Sequence, residues 1–256
     1  MKNATEAHFP NSKGERLWGR LFKPAATTSR CVIICHGFAG KSSSRNKISW
    51  ARHLRKLGFA VLAFDFSGCG RSQGAFRKTS LGKQVGDLES AIAFLSKRGY
   101  SEFGLAGHSF GGIVSLVEAG GGKWKRRIGA VAAIASPFLI HKYPDVLMEK
   151  EVVKNWKRTG AISFRDGGFG YSLDYSFKLD QKKYDFAKII RGVKVPMLIV
   201  HGTADKIVPS YEAKLIFGKA KCGKKLLLVK GADHRFSGHG REICNALGEF
   251  FLEELK

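Results

Sequence analysis

Gly107-His108-Ser109-Phe110-Gly111, with Gly112 after it, sets one serine between glycines two positions before and two after. That frame suits a serine on a sharp strand-to-helix turn. The strained backbone demands small neighbours, the hydroxyl projects clear of the sheet edge, and the helix N-terminus beneath it stabilises developing negative charge. A serine hydroxyl is a poor nucleophile until a base takes its proton, and the base needs an orienting carboxylate. The nucleophile-elbow order is Ser, then acid, then His along the chain. Val200-His201-Gly202-Thr203-Ala204-Asp205 offers Asp205 just past an apolar run, and Ala232-Asp233-His234-Arg235 offers His234 past the next. His239 is the rival base, five residues on. His36 and His201 each precede a Gly at a strand end and are expected to make structural hydrogen bonds. His108 is the variable residue of the elbow. Asp233 adjoins His234 and is expected to point elsewhere. Acyl transfer also needs donors aimed at the oxyanion. The backbone N–H of Phe110 supplies one, and that of Phe38, after the flexible Gly37, is the candidate for the other.

Positioning these residues takes a scaffold, and the periodicity supplies one. Short continuous apolar runs (Val32–Ile34, Ala60–Phe64, Phe103–Ala106, Ile128–Ala135, Val195–Val200, Lys225–Val229) alternate with segments of helical period. Such runs read as strands buried on both faces, so the fold class is α/β with a mostly parallel central sheet and helices on both faces. Ala7–Pro10 and Arg16–Phe22, around Asn11-Ser12-Lys13-Gly14, read as an N-terminal antiparallel hairpin. Ser109, Asp205 and His234 all then fall at the carboxyl ends of parallel strands, where open α/β sheets gather their sites. The alternation lapses for roughly 50 residues, too long for an ordinary connection. The expected domains are a core of residues 1–136 and 188–256 and an inserted cap or lid of residues 137–187.

With these motifs in view, the chain resembles the serine α/β-hydrolase superfamily over nearly its whole length. His36-Gly37 matches the family's oxyanion turn, and Asp65-Phe66-Ser67-Gly68-Cys69-Gly70-Arg71-Ser72 matches its D-x-x-G-x-G-x-S loop, read here as structural. The hairpin, the Gly-His-Ser-Phe-Gly-Gly elbow and the size of the cap are most similar to cinnamoyl/feruloyl-esterase-like and monoacylglycerol-lipase-like carboxylesterases. In feruloyl-type relatives the insertion helps bind the phenolic acyl group, and the resemblance assigns that part to Asp166, Tyr171, Asp174 and Tyr175. Arg165-Asp166-Gly167-Gly168-Phe169-Gly170 reads as a flexible loop and a candidate lid hinge.

Composition narrows the partners. The 256 residues carry 44 Lys+Arg against 21 Asp+Glu, a net charge of +23, with 44% apolar and 11% aromatic residues. That apolar content excludes a disordered basic tail. Lys123-Trp124-Lys125-Arg126-Arg127 is the densest basic run. An acidic substrate, an anionic membrane surface and nucleic acid all fit such a surplus, as does a solvated loop. No nucleic-acid-binding motif is present, so nucleic acid is not the expected partner. The five cysteines form no CxxC pair, and no metal or organic cofactor is implied. The first residues are polar, without the apolar core of a signal peptide, and no apolar run reaches spanning length, so a cytoplasmic location is the default. The function expected is a serine carboxylesterase acting on small to medium acyl or aryl small-molecule esters. An acyl-thioesterase, a monoacylglycerol lipase or a serine peptidase could use the same triad. From another class, a polyanion-binding protein could use the same scaffold.

Overall fold

The computed structural model describes residues 4–166 and 168–256. β1 (Ala4–Pro10) and β2 (Arg16–Phe22) form the N-terminal hairpin, in antiparallel register from Ala4 opposite Phe22 to Pro10 opposite Arg16. Then follow β3 (Arg30–Cys35), α1 (Arg45–Lys56), β4 (Ala60–Asp65), α2 (Leu81–Ser96), β5 (Glu102–His108), α3 (Phe110–Gly121) and β6 (Ile128–Ile134). After β6 the chain leaves the sheet for α4 (Lys150–Thr159), β7 (Ala161–Asp166), β8 (Phe169–Asp174) and α5 (Ser176–Gln181). It returns through α6 (Phe186–Gly192), β9 (Met197–Gly202), α7 (Tyr211–Lys219), β10 (Lys224–Val229) and α8 (Gly240–Glu254).

Eight strands make one sheet in the order β1-β2-β4-β3-β5-β6-β9-β10. It is antiparallel only where β1 meets β2 and β2 meets β4. Strand alternation divides the interior in two. Cys31, Ile33 and Cys35 of β3 join Leu88 and Ile92 of α2, Ile113 and Leu116 of α3, Ile190 of α6 and Ile216 of α7. Val32 and Ile34 face the other way, onto Trp50 and Leu54 of α1 and Leu247 and Phe251 of α8. Both faces of β3, β4, β5, β6 and β9 are buried, which is why these runs are continuous rather than alternating, while the edge strand β10 is half-exposed. Two caps set helix starts: the Ser80 hydroxyl accepts the Lys83 N–H at 3.1 Å, and Asp185 accepts the Lys188 N–H at 2.9 Å.

Buried apolar side chains of the excursion, among them Trp156, Leu173 and Phe177, join the same apolar core as α2 and α3. β7 and β8 pair as a separate two-stranded sheet, Ala161 opposite Asp174 through Asp166 opposite Phe169. Trp156 of α4 is fully buried, and its Nε1–H donates to the Leu173 carbonyl at 2.9 Å. The anticipated hinge segment is the tip of this hairpin: Asp166 ends β7, Gly168 turns at φ +83°, and Phe169 begins β8. Gly167 lies outside the described residues. Buried Glu212 of α7 anchors the start of the excursion, accepting the N–H groups of Phe138 and Leu139 and the Tyr143 hydroxyl at 2.7–2.9 Å. α6 packs directly on α3, where a Cβ on Gly120 would come within 2.4 Å of the Ile189 carbonyl oxygen. No helix of the described residues is long and apolar enough to cross a membrane.

Candidate active site

Ser109 stands between β5 and α3 at φ +54° and ψ −120°, a left-handed backbone that costs about 1–3 kcal/mol for a residue with a side chain. Close packing holds it there. A Cβ on Gly107 would lie 2.2 Å from the Gly111 carbonyl oxygen, and one on Gly111 would lie 2.4 Å from the carbonyl oxygens of Cys35 and His36. Only hydrogen fits at either position. The Ser109 N–H donates to the Ile134 carbonyl at 2.8 Å, and the Ser136 hydroxyl donates to the Ser109 carbonyl at 3.1 Å.

Asp205 and His234, separated by 29 residues, meet beyond β9 and β10. His234 Nδ1 lies 2.8 Å from Asp205 Oδ2. Asp205 is well prepared to stay ionised. Its Oδ1 accepts the N–H groups of Ile207 and Val208 at 2.8 and 2.9 Å, and its Oδ2 also lies 3.2 Å from His201 Nε2. Burial alone would raise its pKa, but these donors and the His234 imidazole together hold it below the usual carboxylate range. With Nδ1–H of His234 committed to Asp205, Nε2 is the nitrogen left to act as a base. His239 turns away from this pair, its Nδ1 3.3 Å from Glu242 Oε2. Asp233 caps its own loop, accepting the N–H groups of Arg235 and Ser237 at 3.0 and 2.9 Å.

The two expected oxyanion donors lie beside the serine. Phe110 opens α3, so its N–H has no carbonyl one turn back to bond. Residues 37–40 form a turn closed by the Gly40 N–H to the Gly37 carbonyl at 3.0 Å, which leaves the Phe38 N–H outside that bond. A Cβ on Gly37 would sit 3.3 Å from Ser109 Cβ, so the turn lies against the elbow. His36 fixes it from below: Nδ1–H donates to the Gly37 carbonyl at 2.8 Å, and Nε2 accepts the Phe66 N–H at 3.0 Å. The loop after β4 is a second brace. Asp65 accepts the N–H groups of Ser42 and Arg71 at 2.7 and 2.9 Å, and the Ser72 hydroxyl donates to the Asp65 carbonyl at 2.6 Å.

Several supporting residues have no sequence signal. His108 Nε2–H donates to the His234 carbonyl at 2.8 Å, the two rings are 5.0 Å apart, and burial keeps the His108 imidazole neutral, well below its ordinary pKa. Trp50 of α1 meets the His108 ring edge-on at 6.3 Å, and buried Lys47 places Nζ 4.6 Å from the Trp50 ring centre. Asp87 accepts the Ser67 N–H and hydroxyl and the Asn11 amide at 2.6–2.8 Å. The hydrogen-bond partners of Asp87 and His108 lie 20 to 126 residues away, a separation that local spacing does not reveal. Among the described residues, no group of three or more His, Cys, Asp or Glu is arranged to hold a metal ion.

The four residues assigned to the acyl group are spread along the hairpin. Tyr171 reaches the oxyanion turn, its hydroxyl 3.3 Å from the Ala39 carbonyl oxygen and its ring 4.8 Å from Phe76. Phe164 stacks on Phe38 at 5.9 Å, and Phe38 also contacts the rings of Phe110 and Phe177. An aromatic cluster therefore joins hairpin, oxyanion turn and elbow. Asp174 is engaged by Arg77 and Lys78 at 2.5 and 2.7 Å, Tyr175 packs edge-on against Trp156 at 5.3 Å, and Asp166 lies 3.7 Å from Arg235, next to His234.

A strained serine at the strand-to-helix elbow, with acid and imidazole delivered from later strand ends of an eight-stranded sheet, defines an α/β hydrolase. A family model described as alpha/beta hydrolase fold matches residues 30–165, more than half of the chain, and the chain belongs to that family. It is 28% identical over 265 residues to the uncharacterized protein YfhR of Escherichia coli (strain K12), covering 99% of this chain and 82% of that one. It is 25% identical over 217 residues to the human mitochondrial palmitoyl-protein thioesterase ABHD10, covering 84% and 70%. Among solved structures, Est1E of Butyrivibrio proteoclasticus with ferulic acid bound superposes with a TM-score of 0.86 at 24% identity, over 97% of this chain and 98% of that one. The esterase domain of a Rhodothermus marinus protein superposes with a TM-score of 0.76 at 26% identity, over 99% of each chain.

Proposed function

We propose that this α/β hydrolase is a serine carboxylesterase, with Ser109 as nucleophile, His234 as general base and acid, and Asp205 as the group that orients it. The observation that carries the reading is the 2.8 Å contact of His234 Nδ1 with Asp205 at strand ends close to a serine strained to φ +54°. His234 Nε2 takes the hydroxyl proton as Ser109 Oγ attacks the ester carbonyl. The N–H groups of Phe38 and Phe110 stabilise the oxyanion, His234 returns the proton to the leaving alcohol, and water then releases the acid from the acyl-enzyme. Residues 137–187 act as a cap over this site. The ring cluster of Phe38, Phe76, Phe164 and Tyr171 favours an apolar or aryl acyl group, with the Tyr171 hydroxyl as a polar tip at the oxyanion turn. Ferulic acid in the Est1E structure is in keeping with such a group.

A thioesterase is the second reading, favoured by the relative named as a palmitoyl-protein thioesterase. Matched oxygen esters, thioesters and aminoacyl anilides separate the two. The carboxylesterase reading expects the highest kcat/KM on aryl or short-acyl oxygen esters. Retention of turnover by Ser109→Ala would sink the shared triad, and a preference for thioesters would leave the triad and change the substrate.

A further inference from the structure

Four connections bring the chain to the amino ends of β5, β6, β9 and β10, which lie side by side in the sheet. Residues 97–101, 120–127, 191–196 and 218–223 make them up, and together they hold ten Lys or Arg and no Asp or Glu. All ten are exposed, and none forms an ion pair among the described residues. The connections form one surface: the Val131 N–H donates to the Pro196 carbonyl at 3.0 Å and the Met197 N–H to the Gly223 carbonyl at 2.9 Å. Neighbouring strands place this array along about 15 Å of sheet edge, and strands of six or seven residues hold it about 20 Å from the Ser109 edge. Nearby acids offset only part of it: Glu102 is half-buried at the start of β5, Glu118 is buried in α3, Glu253 of α8 is paired with Lys225, and Glu249 and Glu254 of α8 face the same lysine.

Some basic residues here serve the fold. Lys224 Nζ bonds the last carbonyls of α7, and Arg98 bonds the Phe94 carbonyl and covers its ring. The other nine in the connections make no such bond. The four connections contain no exposed large apolar side chain; Val146, Leu147, Val152, Phe169 and Leu179 belong to the excursion, Ile207 and Tyr211 follow β9, and Leu252 lies on α8. Trp124 is half-buried against the core, so the patch offers no platform on which unpaired bases could stack. α2, α3, α6 and α7 reach this edge by their last turns, end-on, and none lies across it to enter a groove of duplex nucleic acid. A plane of anionic headgroups needs neither feature, only a broad array of cations.

We propose that the amino-end edge of the sheet is a docking surface for an anionic phospholipid bilayer, which adsorbs the protein electrostatically and leaves the Ser109 edge facing away from the membrane. The enzyme then works on substrates arriving from the aqueous side, and adsorption does not block its site. The proposal does not depend on the esterase reading.

The test is vesicle co-sedimentation of the full chain with pure phosphatidylcholine and with mixed phosphatidylcholine–phosphatidylglycerol vesicles, across a salt series. Each basic residue at an anionic surface contributes about 1 kcal/mol, or about fivefold in binding. Combining Lys125→Gln, Arg126→Gln, Arg127→Gln and Lys221→Gln should therefore weaken partitioning to the anionic vesicles by about 100-fold or more. The matched variant on α4, Lys150→Gln, Lys154→Gln, Lys157→Gln and Arg158→Gln, removes the same charge elsewhere and should change it less than about threefold. Melting temperature and far-ultraviolet circular dichroism verify that both variants are folded. Equal losses in the two variants would show that net charge alone is at work and overturn the docking face. Equal binding to the uncharged vesicles would overturn it as well. So would tighter binding of duplex DNA than of vesicles at the same salt, abolished by the first variant.

Discussion

Glu118 offers a test of the interior that can be worked through. It lies in the third turn of α3 with no exposed surface; one carboxylate oxygen accepts the Trp124 N–H at 2.6 Å, and the other has no partner among the described residues. Burial is the main cause that raises its pKa from 4.5 to about 7, with Glu89 adding to it. The folded protein thus holds this proton more tightly than the unfolded chain. Stability must fall as pH rises from about 4.5 and level off above about 7, where the buried charge costs about 3 kcal/mol. Glu118→Gln keeps the acceptor for Trp124 and removes the charge. It should gain less than about 1 kcal/mol at pH 5 and about 3 kcal/mol at pH 8. In a chain of this size that is roughly 6–10 °C in melting temperature at pH 8. Thermal melts of both proteins at the two pH values decide it. No gain at pH 8, or the same gain at both, would refute the reasoning that Glu118 ionises inside the fold at a cost.

Lys47 should show the opposite slope: burial, then repulsion from Arg235, lowers its pKa from 10.5 to about 7, so stability rises with pH between those values. Lys47→Met should gain roughly 4 kcal/mol at pH 6 and about half that at pH 9, read from urea midpoints; an equal gain at both pH values would contradict it. His108→Ala removes a buried hydrogen bond of about 1–3 kcal/mol to the His234 carbonyl and should lower kcat about tenfold with little change in KM. His108→Gln, which can restore a donor, should recover part of that loss, and a change confined to KM would argue against the role. Asp174→Asn releases the hairpin from Arg77 and Lys78, whose side chains are exposed and screened; KM for aryl esters should rise no more than about fivefold, with a weaker response to salt.

The core of this fold was legible because β3, β4, β5, β6 and β9 are buried on both faces and so read as unbroken apolar runs, at boundaries within a few residues of those observed. The elbow was legible because sterics at Gly107 and Gly111 tolerate one residue type. The hairpin of β7 and β8 was not. Its strands are half-exposed and mix polar with aromatic residues, and the rings of Phe164 and Tyr171 pack on Phe38 and Phe76 rather than within the hairpin alone. The pairing of Asp205 with His234 was legible through strand-end position, while His108 and Glu212 act on backbone atoms brought near only by the tertiary fold. The basic surplus resolved in the same way. As a composition it pointed nowhere in particular, and the sheet topology gathers ten of its members on one edge.

The central claim is that Ser109 becomes the covalent acyl carrier with His234 as its base. The most direct measurement is intact mass and peptide mapping after reaction with a fluorophosphonate, on the native chain and on His234→Ala. The account expects one adduct per chain, on the peptide containing Ser109, and labelling slowed by orders of magnitude without His234. An adduct on another residue, or labelling at an unchanged rate in His234→Ala, would contradict it.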